Sequence, residues 1–209
     1  MKAERCLFCA LGAAETRDHV PPRSFFPAKL PPSTRLITVP CCNSCHKVSQ
    51  ATDPILRNLF ISVSETESSQ HVKEGLAGKR DRSFDRNRAE FMRLLRLVQR
   101  VEVKTPAGIF LRKDLAFNFD VPIVHAFVER TCRAVLWEEF RLPYFVGTFG
   151  WRMNVDLGDL VYAGLAKFGR VRKVHDVFAY GVTVPKDGAP GWVVLNFYGS
   201  LEIFARVDW

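Results

Sequence analysis

The chain has 209 residues, 47% hydrophobic and 25% charged, with a net charge of +8. That balance excludes a disordered or fibrous chain and allows a sizeable core, in one large domain or two small ones at about 100–200 residues each. No apolar run reaches the roughly 18 residues of a membrane-spanning helix. Cys6 follows too soon after Met1 for a secretory signal, so the expectation is a cytoplasmic protein with reduced thiols and no membrane partner.

Residues 1–62 are rich in Cys, Pro and turn formers and have little periodicity. They read as a small unit held by something other than a large core. Within them, Asp53-Pro54 reads as a helix start, with Asp as N-cap and Pro in the first turn. Residues 63–104 form a second segment. Its first part, to about residue 83, is polar and reads as a loop; from Phe84 to Val101 a basic helix is expected, with Phe91, Leu94, Leu95 and Val98 on one face.

Residues 105–209 contain the clearest helix, over 121–141. Val121, Val124, Phe127, Val128, Val135 and Leu136 make its apolar face, and Glu129 is spaced to pair with Arg133. The period then switches to two over Val177–Val184, Trp192–Tyr198 and Leu201–Val207, which predicts an antiparallel meander. Residues 142–170 are ambiguous. The fold class is therefore α+β. The role of 105–209 is unread, and it offers a surface for a protein partner or a second copy.

Charge is unevenly spread. Residues 1–104 carry 18 Lys and Arg against 11 Asp and Glu, a net of +7; residues 105–209 carry 12 against 11, a net of +1. A basic half beside a neutral one suits a polyanion. Arg86, Arg88 and Arg93 on the basic segment, with Arg23 and Lys47 near the cysteines, are the candidate phosphate contacts. Nothing spells out base-edge readout, so no target sequence is expected.

Cys6 and Cys9 form one CxxC pair, and Cys42 and Cys45 a second. Two such pairs can give four thiolates to one tetrahedral Zn2+, which would supply folding energy that a short segment lacks. Cys41 is an alternative to Cys42, whose two-residue gap to Cys45 is the better match. Cys132 falls on the 121–141 helix and reads as core. Between the pairs lies Asp18-His19-Val20-Pro21-Pro22-Arg23, and His46 follows Cys45 directly. Phosphodiester hydrolysis needs a base for water and a cation for the charge developing on phosphate, and Asp18, His19 and His46 could meet those needs. His46 has a rival role as a zinc ligand, and Asp53 one as a metal ligand. His71, His125 and His175 lack such a setting.

The order CxxC, DHVPPRSFFP, CxxCHK resembles the HNH endonuclease family, in its subgroup with a four-cysteine zinc. The resemblance covers about residues 6–60 and implies a ββα-metal fold. It implies His19 as general base, and Asp18 and His46 as ligands of a catalytic Mg2+ or Mn2+. It implies Cys6, Cys9, Cys42 and Cys45 as ligands of a structural Zn2+, and double-stranded DNA as substrate. Such modules serve in restriction, phage defence, mobile elements or repair. The family's middle Asn is missing from Ser33-Thr34-Arg35-Leu36-Ile37; a backbone carbonyl or Thr34 would take its place. The alternative expectation is a zinc-dependent nucleic-acid-binding or scaffolding module without catalysis.

Overall fold

Thr-Arg-Asp-His-Val and Ile-Thr-Val-Pro-Cys are short segments rich in β-branched residues, and they pair. The computed structural model describes residues 4–62, 76–118, 121–142, 148–153, 167, 169–183 and 191–208. Strand β1 (Thr16–Val20) leads through a 3-10 turn (Arg23–Phe25) to β2 (Ile37–Cys41) and helix α1 (Asn43–Ser62). Helices α2 (Ala77–Arg86) and α3 (Arg88–Leu95) precede a hairpin of β3 (Val98–Lys104) and β4 (Phe110–Phe117). Helix α4 (Val121–Phe140) is followed by β5 (Thr148–Met153), β6 (Arg170–His175), β7 (Phe178–Thr183), β8 (Gly191–Phe197) and β9 (Leu201–Asp208). The architecture is mixed α+β and includes the expected C-terminal meander. No helix among the described residues is long and apolar enough to cross a membrane.

The last five strands form one antiparallel sheet in the order β5-β9-β8-β7-β6. Apolar residues alternate along β8 and β9, and their inward set, including Val193, Leu195, Phe197, Ile203, Ala205 and Val207, is buried. Gly199 (φ 80°) and Tyr198 (φ 58°) turn the chain between these strands, a left-handed path that glycine takes without steric cost.

Helix α4 is the centre of the molecule. It packs on β1 and β2 at one side and on β5, β7 and β9 at the other. Thr131 to Leu136 are consequently all buried, Cys132 among them. Where the helix is buried, its polar groups must be paired. Thr131 donates to the Phe127 carbonyl at 2.8 Å, and Arg133 reaches Glu129 at 2.7 Å, the predicted pair. At its C-terminal end, Glu138 accepts from Arg172 at 3.0 Å and Glu139 accepts from the Tyr180 hydroxyl at 2.5 Å, fixing α4 to β6 and β7.

Four phenylalanines join the two halves of the chain. Phe25 of the 3-10 turn, Phe60 of α1, Phe127 of α4 and Phe197 of β8 lie with every pair of ring centroids between 5.3 and 5.9 Å. The buried Tyr198 hydroxyl adds a bond to the Phe25 carbonyl at 3.4 Å. One continuous cluster of buried side chains runs from Leu7 to Val207.

Three expectations are corrected. Helix α1 begins at Asn43, directly after β2, so Asp53 is not an N-cap and Pro54 lies inside the helix. Buried Leu56, Leu59, Phe60 and Ile61 hold the C-terminal turns although Pro54 has no N–H to give the Gln50 carbonyl. The basic helix expected over Phe84–Val101 is two helices separated at Asn87, whose N–H bonds the Ser83 carbonyl at 2.9 Å, and Val98 starts a strand. Val98, Arg100, Glu102 and their neighbours follow the period-two β3–β4 register, a pattern too polar to stand out in the sequence. The third concerns the expected polar loop: its end, residues 77–83, is helical. Asn58 donates to Ser83 at 3.1 Å and Lys79 to the Phe26 carbonyl at 2.8 Å, contacts that tie this segment to α1 and to the 3-10 turn. His71 and the rest of the expected loop, 63–75, lie outside the described residues.

Because Phe127 touches rings from both halves, Phe127→Ala is expected to destabilise the protein by about 3–5 kcal/mol. Denaturant unfolding of the variant, followed by tryptophan fluorescence and by circular dichroism, should give one shifted transition. A loss below about 1 kcal/mol would contradict a shared aromatic core.

Candidate metal centres

The N-terminal CxxC turn is shaped by backbone bonds. The Cys6 N–H donates to the Gly12 carbonyl and the Ala10 N–H to the Cys6 carbonyl, both at 3.0 Å. The Leu7 N–H reaches the Pro40 carbonyl at 2.9 Å, which sets this turn beside the end of β2. Gly12 makes a close approach: a Cβ there would stand 3.0 Å from Cys42 Cβ, so Cys42 would have to give by a few tenths of an ångström. The second CxxC opens α1, where the His46 N–H bonds the Cys42 carbonyl at 3.0 Å.

The two turns bring Cys6, Cys9, Cys42 and Cys45 together, with all four thiols within 4.8 Å of one another. Cys9 Sγ and Cys42 Sγ are 3.8 Å apart, the spacing of two thiolates about 2.3 Å from one tetrahedral zinc. Backbone N–H groups of Phe8 and Cys45 point at Cys6 Sγ and Cys42 Sγ, at 3.4 and 3.5 Å. Hydrogen bonding from the Gly12 backbone lowers the Cys9 thiol to about 7. This four-cysteine site could hold a structural metal such as zinc. Among the described residues Cys41 is not part of it. Burial pushes the Cys41 thiol up to about 12, and the thiol lies 3.3 Å from the Cys42 carbonyl.

A second cluster lies on the other side of Cys41. Strand alternation buries Asp18 and Val20 and leaves Arg17 on the opposite face. Asp18 Oδ1 accepts from the His19 N–H at 2.9 Å, and Ser49 Oγ lies 3.1 Å from Oδ2. His46, one turn before Ser49 on α1, presents Nδ1 3.5 Å from Asp18 Oδ1. Its Nε2 is 2.8 Å from the Gln50 side-chain amide. His46 Nδ1 is buried and has no hydrogen-bond partner. Two ligands about 2.1 Å from one cation stand about 3.0–3.5 Å apart at angles of about 90–115°, so Asp18 and His46 fit a shared ion. An orphaned imidazole nitrogen facing a carboxylate is what such a fit requires.

Arg130 of α4 completes the cluster. Its guanidinium is 3.8 Å from Asp18 Oδ2 and donates to Asp53 Oδ1 at 2.5 Å. Both aspartates are 7% exposed. Burial raises the Asp53 carboxyl to about 6 against the pull of Arg130. Two buried carboxylates thus face one guanidinium. The sequence carried one signal of this: His46, Ser49 and Asp53 are spaced to share a face of α1. Arg130 gave no local signal.

The remaining candidates are dispersed. His19 is half-buried on β1 opposite Thr38, on the strand face away from Asp18, and is not in the Asp18–His46 cluster. Thr34 is in the loop before β2, its N–H on the Pro31 carbonyl at 2.9 Å. Arg23 donates to the Pro27 and Ala28 carbonyls at 2.6 and 2.7 Å, closing the loop after the 3-10 turn. Lys47 is exposed on α1, and Arg86 and Arg88 are exposed where α2 meets α3. The Arg93 side chain lies outside those described. His125 accepts from Trp151 Nε1 at 3.0 Å and His175 Nδ1 from the Val177 N–H at 3.2 Å, both away from the cysteines in sequence and role. Comparison with protein-family models, with curated proteins and with solved structures finds no match.

Two outcomes are expected. Zinc that survives dialysis against a weak chelator should be lost in Cys42→Ser and kept in Cys41→Ser, as read by metal analysis; the reverse would move the ligand to Cys41. Arg130→Met should cost about 3–5 kcal/mol in chemical denaturation, because it strands two buried carboxylates. A neutral effect would show that the two aspartates do not depend on this arginine.

Proposed function

We propose that the chain is a metal-dependent endonuclease of the HNH type, hydrolysing phosphodiester bonds in nucleic acid, with double-stranded DNA as the substrate. The observation that carries this reading is the buried, unpartnered His46 Nδ1 facing Asp18 at 3.5 Å beside a four-thiol cluster. The order of β1, β2 and α1, with α1 starting two residues after β2, matches the ββα arrangement of that family.

The chain's own residues divide the work. His19 is half-buried on the outer strand face, and it takes the proton of the attacking water while remaining clear of the cation. Asp18 and His46 hold a divalent cation, Mg2+ or Mn2+ by the resemblance. When bound, that ion supplies charge stabilisation to the phosphate and leaving oxygen. Ser49 and Arg130 keep the Asp18 carboxylate in one orientation. Cys6, Cys9, Cys42 and Cys45, by holding zinc, fix the start of α1 and with it His46. Lys47, Arg86 and Arg88 give exposed positive charge for phosphate contacts. Arg23, engaged by carbonyls, shapes the loop after β1 and contributes less to binding.

Supercoiled plasmid incubated with the zinc-loaded protein and Mn2+ or Mg2+ should be nicked. His19→Ala is expected to slow nicking about 10²–10⁴-fold, the range for loss of a general base. His125→Ala, whose ring bonds Trp151 and belongs to neither cluster, should cut at the wild-type rate. Equal rates for His19→Ala and wild type would remove His19 as the base. Binding of DNA without cutting under any divalent ion would favour a non-catalytic zinc module.

A further inference from the structure

Cys41 is fully buried, yet neither the four-thiol site nor the proposed hydrolysis uses it. Its position follows from the hairpin register. Cys41 pairs with Thr16, and Asp18 pairs with Val39. Residues opposite one another in an antiparallel pair share a face, and so do residues two apart. Cys41 therefore lies on the same face as Asp18, one diagonal step away. Helix α1 starts immediately afterwards and brings His46 over that face. The Cys41 thiol, one Asp18 carboxylate oxygen and one His46 ring nitrogen all lie within 4.8 Å of one another.

We propose that Cys41 is a third protein ligand of the Asp18–His46 site, giving a sulfur, oxygen and nitrogen donor set that selects a borderline transition-metal ion of the Zn2+ or Co2+ kind over Mg2+. This rests on the Asp18–His46 reading above and puts a softer ion at that site in place of the Mg2+ or Mn2+ that the resemblance implies. Thiolate and imidazole favour such ions, whereas Mg2+ is better suited by oxygen ligands and keeps several waters. A site whose walls are a buried thiol, a buried carboxylate and an imidazole has few places for those waters. The competing partners of the thiol are the Cys42 carbonyl at 3.3 Å and the Cys6 thiol, weak bonds that a bond to an ion would replace. Closing the three donors onto one ion takes shifts on the order of 1 Å, since sulfur and oxygen ligands of one such ion stand about 3.6 Å apart. On binding, the thiol proton leaves to solvent and the sulfur lone pair forms the metal bond. His46 Nδ1, buried and without a hydrogen bond, faces this cluster and has a lone pair or proton to give to it.

The test uses full-length protein carrying one Zn2+ in the four-thiol site, titrated with Co2+. Near-ultraviolet absorption reads thiolate-to-cobalt charge transfer, and calorimetry reads affinity. Zinc content measured after titration corrects for any displacement from the four-thiol site. Wild type should bind one Co2+ with a charge-transfer band. Cys41→Ser should lose the band and bind Co2+ at least about tenfold more weakly. Cys41→Ala, free of any serine oxygen, should do the same, and retention of one Zn2+ shows that each variant is folded. Mg2+ in large excess should not displace Co2+ from wild type. Identical spectra and affinities in wild type and both variants would overturn Cys41 as a ligand and leave the Asp18–His46 site standing. No Co2+ beyond the four-thiol site in wild type would overturn both.

Discussion

Arg130 is the charge on which the arrangement turns. It comes from α4 and lies between Asp18 of β1 and Asp53 of α1, joining three elements at one buried point. Burying two carboxylates is costly unless they are paired, and here one guanidinium serves both. The shared cation holds the hairpin against α1 and aims Asp18 at His46. The same arrangement sets the Asp18 carboxylate beside His46 Nδ1 at 3.5 Å.

That position of Arg130 depends on the C-terminal half. Helix α4 is enclosed by the hairpin on one side and the five-stranded sheet on the other, and Glu138 and Glu139 fasten its end to β6 and β7. The four-phenylalanine cluster then locks the 3-10 turn, α1, α4 and β8 together. The meander is accordingly the platform that sets Arg130 against the metal cluster. The four-cysteine cluster lies at the other end of α1, where its thiols come together beside the first turn of the helix.

Features encoded by local spacing were legible in the sequence. The two CxxC pairs meet, helix 121–140 and its Glu129–Arg133 pair form, and alternation over the last thirty residues gives the β7–β8–β9 ladder. Features that arise from tertiary contact were not. Asp53-Pro54 imitates a helix start, but β2 feeds straight into α1 and the proline is carried inside it. The β3–β4 hairpin alternates with charged residues in place of a clean apolar face, so arginines there read as a helix. Asp18 and His46 were legible as a pair by motif, whereas Cys41, Ser49 and Arg130 enter only through register, helical phase and packing.

The central claim is that Asp18 and His46 share one divalent cation while His19 stays free of it. Electron spin-echo envelope modulation of Mn2+ bound to the zinc-loaded protein reads imidazole nitrogen on the ion directly. The account predicts coupling to one histidine nitrogen in wild type, preserved in His19→Ala and abolished in His46→Ala. Coupling lost on His19→Ala and kept on His46→Ala would contradict it.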